Sequence, residues 1–299
     1  MVLRTFPRAP GGIDYDAPAG DLGWFGPESV TWRIHGDFAG MLSGGLCALM
    51  LQTLHPRALA GIWDHSNFRT DLLGRLRRTT QFVAATSYAP SADAESLSAR
   101  VRKIHAQVKG VDQFGQSYSA DDPALLTWVH VTEVLGFLTG YRKFGGLPLT
   151  SAIEDQYFNE VAIIAERLGA DSVPRSRAQI ETYLQAQQTQ LRFTERSEQV
   201  LNVLSAMRLP AGAMARDVFL HAGASLLPPW AQTLLQQSTK HRVQAKMASA
   251  IVKTLSPSFR AALNDGVAAR AMRRVDRDSK ELARWPSTSP QLPWKLPVV

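Results

Sequence analysis

The sequence predicts an all-α protein. Three observations carry that expectation. Apolar residues recur at helical spacing in most segments, cap residues and Pro or Gly punctuate the chain at helix-length intervals, and no segment sustains strand-like alternation. The composition, 45% hydrophobic and 20% charged, is that of a folded globular chain. Its 299 residues suit one large domain or two ordinary ones. The expected division is an irregular N-terminal arm over 1–27, one helical domain over 28–283 and a Pro-rich tail over 284–299, with about a dozen helices between arm and tail.

The arm is rich in Pro, Gly and Asp, and Pro27-Glu28-Ser29 opens the first helix. The segment 38–54 has no charged residue. It is shorter than the roughly 20 apolar residues a membrane span needs, so it predicts a fully buried helix. Gly40, Gly44 and Gly45 at helical spacing would let either a second helix or a flat planar ligand approach its backbone. His55-Pro56 ends that helix, and 57–65 resumes as another. A connection over 68–73 leads to 75–88, where Thr79, Thr80 and Thr86 weaken the helical signal. The spacing of Leu97, Val101, Ile104 and Val108 predicts one face of a helix over 94–109, stopped by Gly110, with His105 at the edge of the face. Asp121-Asp122-Pro123 opens the next, carrying Leu125, Leu126, Val129, His130 and Glu133. After a loop at 145–150, 151–168 is amphipathic and ends at Gly169. Helices over 179–198, 213–223, 230–254 and 259–282 follow.

The formal net charge of +7 raises the question of nucleic acid. The basic residues are spread and mixed with acids, and the densest stretch, 270–284, interleaves Asp276, Asp278 and Glu281 as a solvated helix face does. No nucleic-acid partner is expected. The single cysteine, Cys47, allows no intrachain disulfide and no cysteine-built metal site, and its apolar neighbours predict inert burial. The N-terminus lacks the apolar core of a signal peptide, and the expected location is a reducing cytoplasm. Walker A, GxGxxG, GxSxG and HExxH motifs are absent, as are paired Glu-x-x-His motifs.

What remains is histidine on apolar helices. One imidazole on a helix face can hold haem iron while neighbouring helices cover the macrocycle, and His105 suits this as well as it suits an ordinary boundary position. Arg75, Arg78 and Thr79 share one helix face. Their donors can serve bound dioxygen, haem propionates or solvent.

Several motifs occur in order: Trp32-Arg33 with Gly36-Asp37, then GGLCALMLQTLHP, HSNF, GRLRRT, VRKIHAQVKG, YSADDPALLTWVHVTEVLGF and YRKFGGLPLT. Together, over a motif core of 28–183, the chain resembles the catalytic domain shared by the MpaB-type oxygenases of mycophenolic-acid biosynthesis and the latex-clearing rubber oxygenases. The resemblance implies a globin-like helical core with additional helices, holding haem b (iron) through one proximal histidine. His105, in VRKIHAQV, is the matching metal ligand. It implies Arg75, Arg78 and Thr79 as the catalytic groups near the distal side, Arg75 also touching the cofactor. Arg78 stands where the rubber oxygenases carry lysine. Guanidinium stays protonated and does not coordinate iron, so a lysine-capped closed state does not carry over. His130, in WVH, is closer to the MpaB-type branch, and either lines the haem pocket, serves as a sixth ligand or orients a neighbour by hydrogen bonding. The implied function is dioxygen activation and oxidative C=C cleavage of an apolar, isoprenoid-like substrate, with electrons from a donor the sequence does not name. A haem-binding sensor or carrier without turnover is the alternative.

Overall fold

Side-chain caps set where the helices begin. Ser29 accepts from Trp32 N and opens α1 (Val30–His35). Asp37 accepts from Gly40 N and opens α2 (Phe38–Gln52). His55, followed by Pro56, opens α3 (Pro56–His65), and Asp71 opens α4 (Leu72–Tyr88). α5 (Ser91–His105) follows after the Ala89-Pro90 turn. Asp122 opens α6 (Pro123–Phe144), and Thr150 opens α7 (Ser151–Leu168), which ends on Gly169 at φ +105°. Then come α8 (Arg177–Gln187), α9 (Glu195–Ala206), α10 (Ala213–Ala224), α11 (Pro229–Leu234), α12 (Thr239–Ala262) and α13 (Val267–Arg274). The computed structural model describes residues 12–209, 211–263 and 265–286. The first eleven residues of the expected arm and the Pro-rich tail from 287 lie outside the described residues.

The all-α expectation holds, with local corrections. α5 stops at His105, and the chain enters a small antiparallel hairpin, β1 (Lys109–Val111) against β2 (Ser117–Ser119), with Lys109 opposite Ser119. Asp112 closes its turn by accepting from Phe114 N and Gln116 N at 2.8 and 2.9 Å. The face of α5 is also rotated. Ala94 and Ser98 are the buried pair, and Ile104 is 53% exposed. The expected helix over 179–198 is split where Arg192 N donates to Leu54 O at 2.8 Å. The expected helices 230–254 and 259–282 have different breaks: α12 runs straight through Pro257.

The core is built on α2 and α6. Gly40 and Gly44 face Gly140 and Gly136, and a Cβ at Gly44 or Gly140 would fall onto the opposing carbonyl. Of the two occupants open to these small residues, Gly40 and Gly44 take the helix. α2 is buried as expected, and no single helix among the described residues is long and apolar enough to cross a membrane. Cys47 is fully enclosed, and burial pushes its thiol up to about 12.

α1 is held from a distance. The buried Glu160 of α7 accepts from Val30 N, Thr31 N and Thr31 Oγ1 at 3.1, 2.9 and 2.7 Å, satisfying the free amides of the helix start. The basic stretch expected to be a solvated face is instead used in packing. Arg274 is 2% exposed and donates to the carbonyls of Tyr15, Asp21 and Tyr88, while Arg270 pairs with Asp14 and Asp16. The described part of the arm is therefore fastened down, with Trp24 and Phe25 buried.

Candidate active site

α4 and α5 form a helical hairpin whose buried residues gather at the closed end. In α4 these are Tyr88 and the three residues before it, apart from Leu72 at the far end. In α5 they are Ala94 and Ser98. No residue from 73 to 84 is buried, although Leu73, Leu76, Phe82 and Val83 are apolar and only partly exposed. Leu76 packs against the cluster of Leu59, Phe68, Leu72, Val200 and Leu204, while Phe82 and Val83 stay partly exposed. Arg75 and His105 each lie about 20 Å along their helix from the turn, at 1.5 Å per residue. Both therefore sit at the open end of the hairpin.

α6 contributes the opposite charge. Glu133 is the one charged residue between Asp122 and Arg142. Its side chain keeps some accessible surface on a helix that is otherwise largely buried. Burial pushes its carboxyl up to about 7, against the pull of Arg75. Burial likewise lowers the pKa of Arg75, with Arg78 adding to this and Glu133 opposing it. The two interact through space, with no hydrogen bond or ion pair between them among the described residues.

The other two candidate residues of α4 point elsewhere. Arg78 is exposed, with Nη2 donating to Asn67 Oδ1 at 3.2 Å and Nη1 3.6 Å from Asp71 Oδ2. Thr79 is exposed, and its hydroxyl donates to Arg75 O at 3.3 Å.

His105 is the last residue of α5 and half-buried. Burial lowers its pKa, partly countered by Asp121, so the ring is neutral at pH 7. Its Nδ1 is buried with no hydrogen-bond partner. His130 is buried in α6, pushed down to about 3 by burial and then by the Arg175 charge, with Nε2 unpartnered. No hydrogen bond or ring contact joins His105 to His130 among the described residues; His130 instead interacts with His35.

His35 belongs to a chain of buried hydrogen bonds. Ser87 Oγ donates to Val83 O at 2.6 Å. It must therefore accept from His35 Nδ1, 2.7 Å away, which leaves Nε2 to accept from the Tyr157 hydroxyl at 2.8 Å. Burial drives the Tyr157 phenol well above its ordinary range, and the charge of Glu133 adds to that. The chain thus runs from beside Glu133, through Tyr157, His35 and Ser87, to a carbonyl of α4. Glu133, His35 and Tyr157 are not among the candidate site residues the sequence points to. A lone acid inside an uncharged helical run was the available signal for Glu133. His35 and Tyr157 are 122 positions apart and carry no local signature.

Among the described residues no group of three or more His, Cys, Asp or Glu side chains could hold a metal ion. A macrocycle supplies four nitrogens itself and asks the protein for one ligand. The half-buried His105, with its orphaned Nδ1 and a pKa lowered by burial, fits that demand. Two open surface depressions, one lined by Gln188 and Trp230, the other by Val173 and Tyr183, contain none of these residues.

A family model described as the catalytic domain of ER-bound oxygenase mpaB/B' and rubber oxygenase matches residues 32–257. No curated protein and no solved structure matches the chain.

Proposed function

Because the chain belongs to the MpaB and rubber oxygenase catalytic-domain family, its chemistry is of the oxygenase type, and we propose that it is a haem b-dependent oxygenase cleaving a C=C bond of an apolar, isoprenoid-like substrate. The observation that carries the haem reading is His105, neutral, half-buried and with a buried nitrogen lacking a partner. Haem, when bound, supplies the dioxygen chemistry and the route for electrons from a separate donor.

The chain's own residues supply ligand, position and polarity. His105 holds the iron. Arg75 would supply a cation to polarise bound dioxygen or to hold an anionic group of the cofactor, with the Glu133 charge opposing the effect of burial on it. Thr79 stands one turn further on, while Asp71 and Asn67 draw Arg78 outward. The partly exposed Phe82 and Val83 would supply apolar surface against which an alkene is held.

A haem sensor or carrier without turnover is the competing reading. His130, buried and unpartnered at Nε2, favours it, since a second imidazole holding the iron would leave no place for dioxygen. An absorption spectrum of the purified protein, oxidised and reduced, separates the readings. The oxygenase expectation is a Soret band with one protein ligand and a shift on adding imidazole. His105→Ala loses the band, whereas His130→Ala keeps it. Full haem content and an unchanged spectrum in His105→Ala would overturn the ligand assignment.

A further inference from the structure

Of the nine large apolar side chains exposed among the described residues, four lie on α12: Val243 (51%), Met247 (63%), Ile251 (44%) and Leu255 (44%). They recur every four residues, which sets them in one stripe along the helix. The opposite face, with Ala245, Ala248, Val252 and Ser256, is the one α12 buries in the fold. α12 contains no Asp or Glu over its 24 residues. Lys246 and Lys253 lie along one edge of the stripe at 100° per residue, and Lys240 lies at its N-terminal end. All three lysines are exposed.

An apolar stripe edged by unopposed cations matches one surface in particular. The interface of an anionic bilayer offers acyl chains to the stripe and negative headgroups to the lysines. Nucleic acid has no counterpart for the stripe. A second copy of the chain would bring lysines against lysines with no acid on either α12. We propose that α12 is a peripheral docking face that seats the protein on a membrane surface rich in anionic lipid, with the stripe at the headgroup–acyl boundary. This face lies on a different helix from His105 and does not depend on haem.

Co-sedimentation of the full chain with vesicles tests the assignment. Native protein is expected to partition onto vesicles containing phosphatidylglycerol, to bind purely phosphatidylcholine vesicles at least about tenfold more weakly, and to be released by salt. Met247→Glu with Ile251→Glu is expected to lower partitioning at least about tenfold, and Lys246→Glu with Lys253→Glu to do the same on anionic vesicles only. Because the four side chains are exposed, helical circular dichroism and the melting temperature should stay at the native values, which separates lost docking from lost folding. Three results overturn the proposal: no vesicle binding by the native chain, equal binding by native and stripe variants, or a native dimer in solution that the stripe variant converts to monomer.

Discussion

Glu133 and His130 sit one turn apart on α6 and act on stability with opposite sign. His130 and His35 have folded pKa values of about 3, below the ordinary histidine value of 6.5. Between those values the unfolded chain holds protons that the native protein refuses. Their contribution is complete above pH 6.5 and is lost as pH falls toward 3. Glu133, raised from 4.5 to about 7, holds a proton that the unfolded chain lacks. Its contribution is complete below pH 4.5 and is lost as pH rises through 7. In haem-free protein, His130→Gln should flatten the acid limb by about 1.4 kcal/mol per pH unit, and Glu133→Gln should steepen it between pH 4.5 and 6.5. Urea unfolding at pH 5, 6 and 7 checks both slopes; parallel profiles for native and variant proteins would mean these groups are not deprived of water. Arg75 and His105 could be named as candidates because their segments resemble a family pattern. Their partners could not, because burial and through-space charge have no one-dimensional signature.

At the scale of the element, α2 and α6 give a contrast within one helix. A Cβ at Gly44 meets the Gly136 backbone, which cannot turn aside, whereas a Cβ at Gly45 rests 3.6 Å from Phe137 Cε1, an ordinary contact. Gly44→Ala is therefore expected to cost about 1–3 kcal/mol by forcing the helices apart, and Gly45→Ala to be neutral or stabilising by up to about 1 kcal/mol. Thermal unfolding of the two variants checks the difference. The sequence showed small residues at helical spacing and left two occupants open. Only the facing glycines of α6, nearly a hundred positions away, choose between them. The hairpin after α5 escaped notice for a related reason. Its strands are three residues each, too short to show alternation.

At the scale of the whole molecule, the described ends of the chain are fastened to each other and to the body. Arg274 joins the 12–27 segment, the end of α4 and α13 through three backbone carbonyls. Arg274→Ala should leave those buried acceptors without donors and cost about 3 kcal/mol. It should also open the N-terminal segment to limited proteolysis before the rest unfolds; simultaneous cleavage throughout the chain would instead assign Arg274 to global stability. The sequence by itself determined the all-α class, most helix starts and the family, because periodicity, capping side chains and ordered motifs are local and survive in one dimension. Tertiary structure alone decided that the basic C-terminal stretch is packed, that Arg75 and Glu133 feel each other's charge while Arg78 turns outward, that His35 bonds Ser87 and Tyr157 while His130 stays unpartnered at Nε2, and that α12 leaves an apolar stripe uncovered. Each of these depends on which faces meet, and that is set by contacts between residues far apart in the chain.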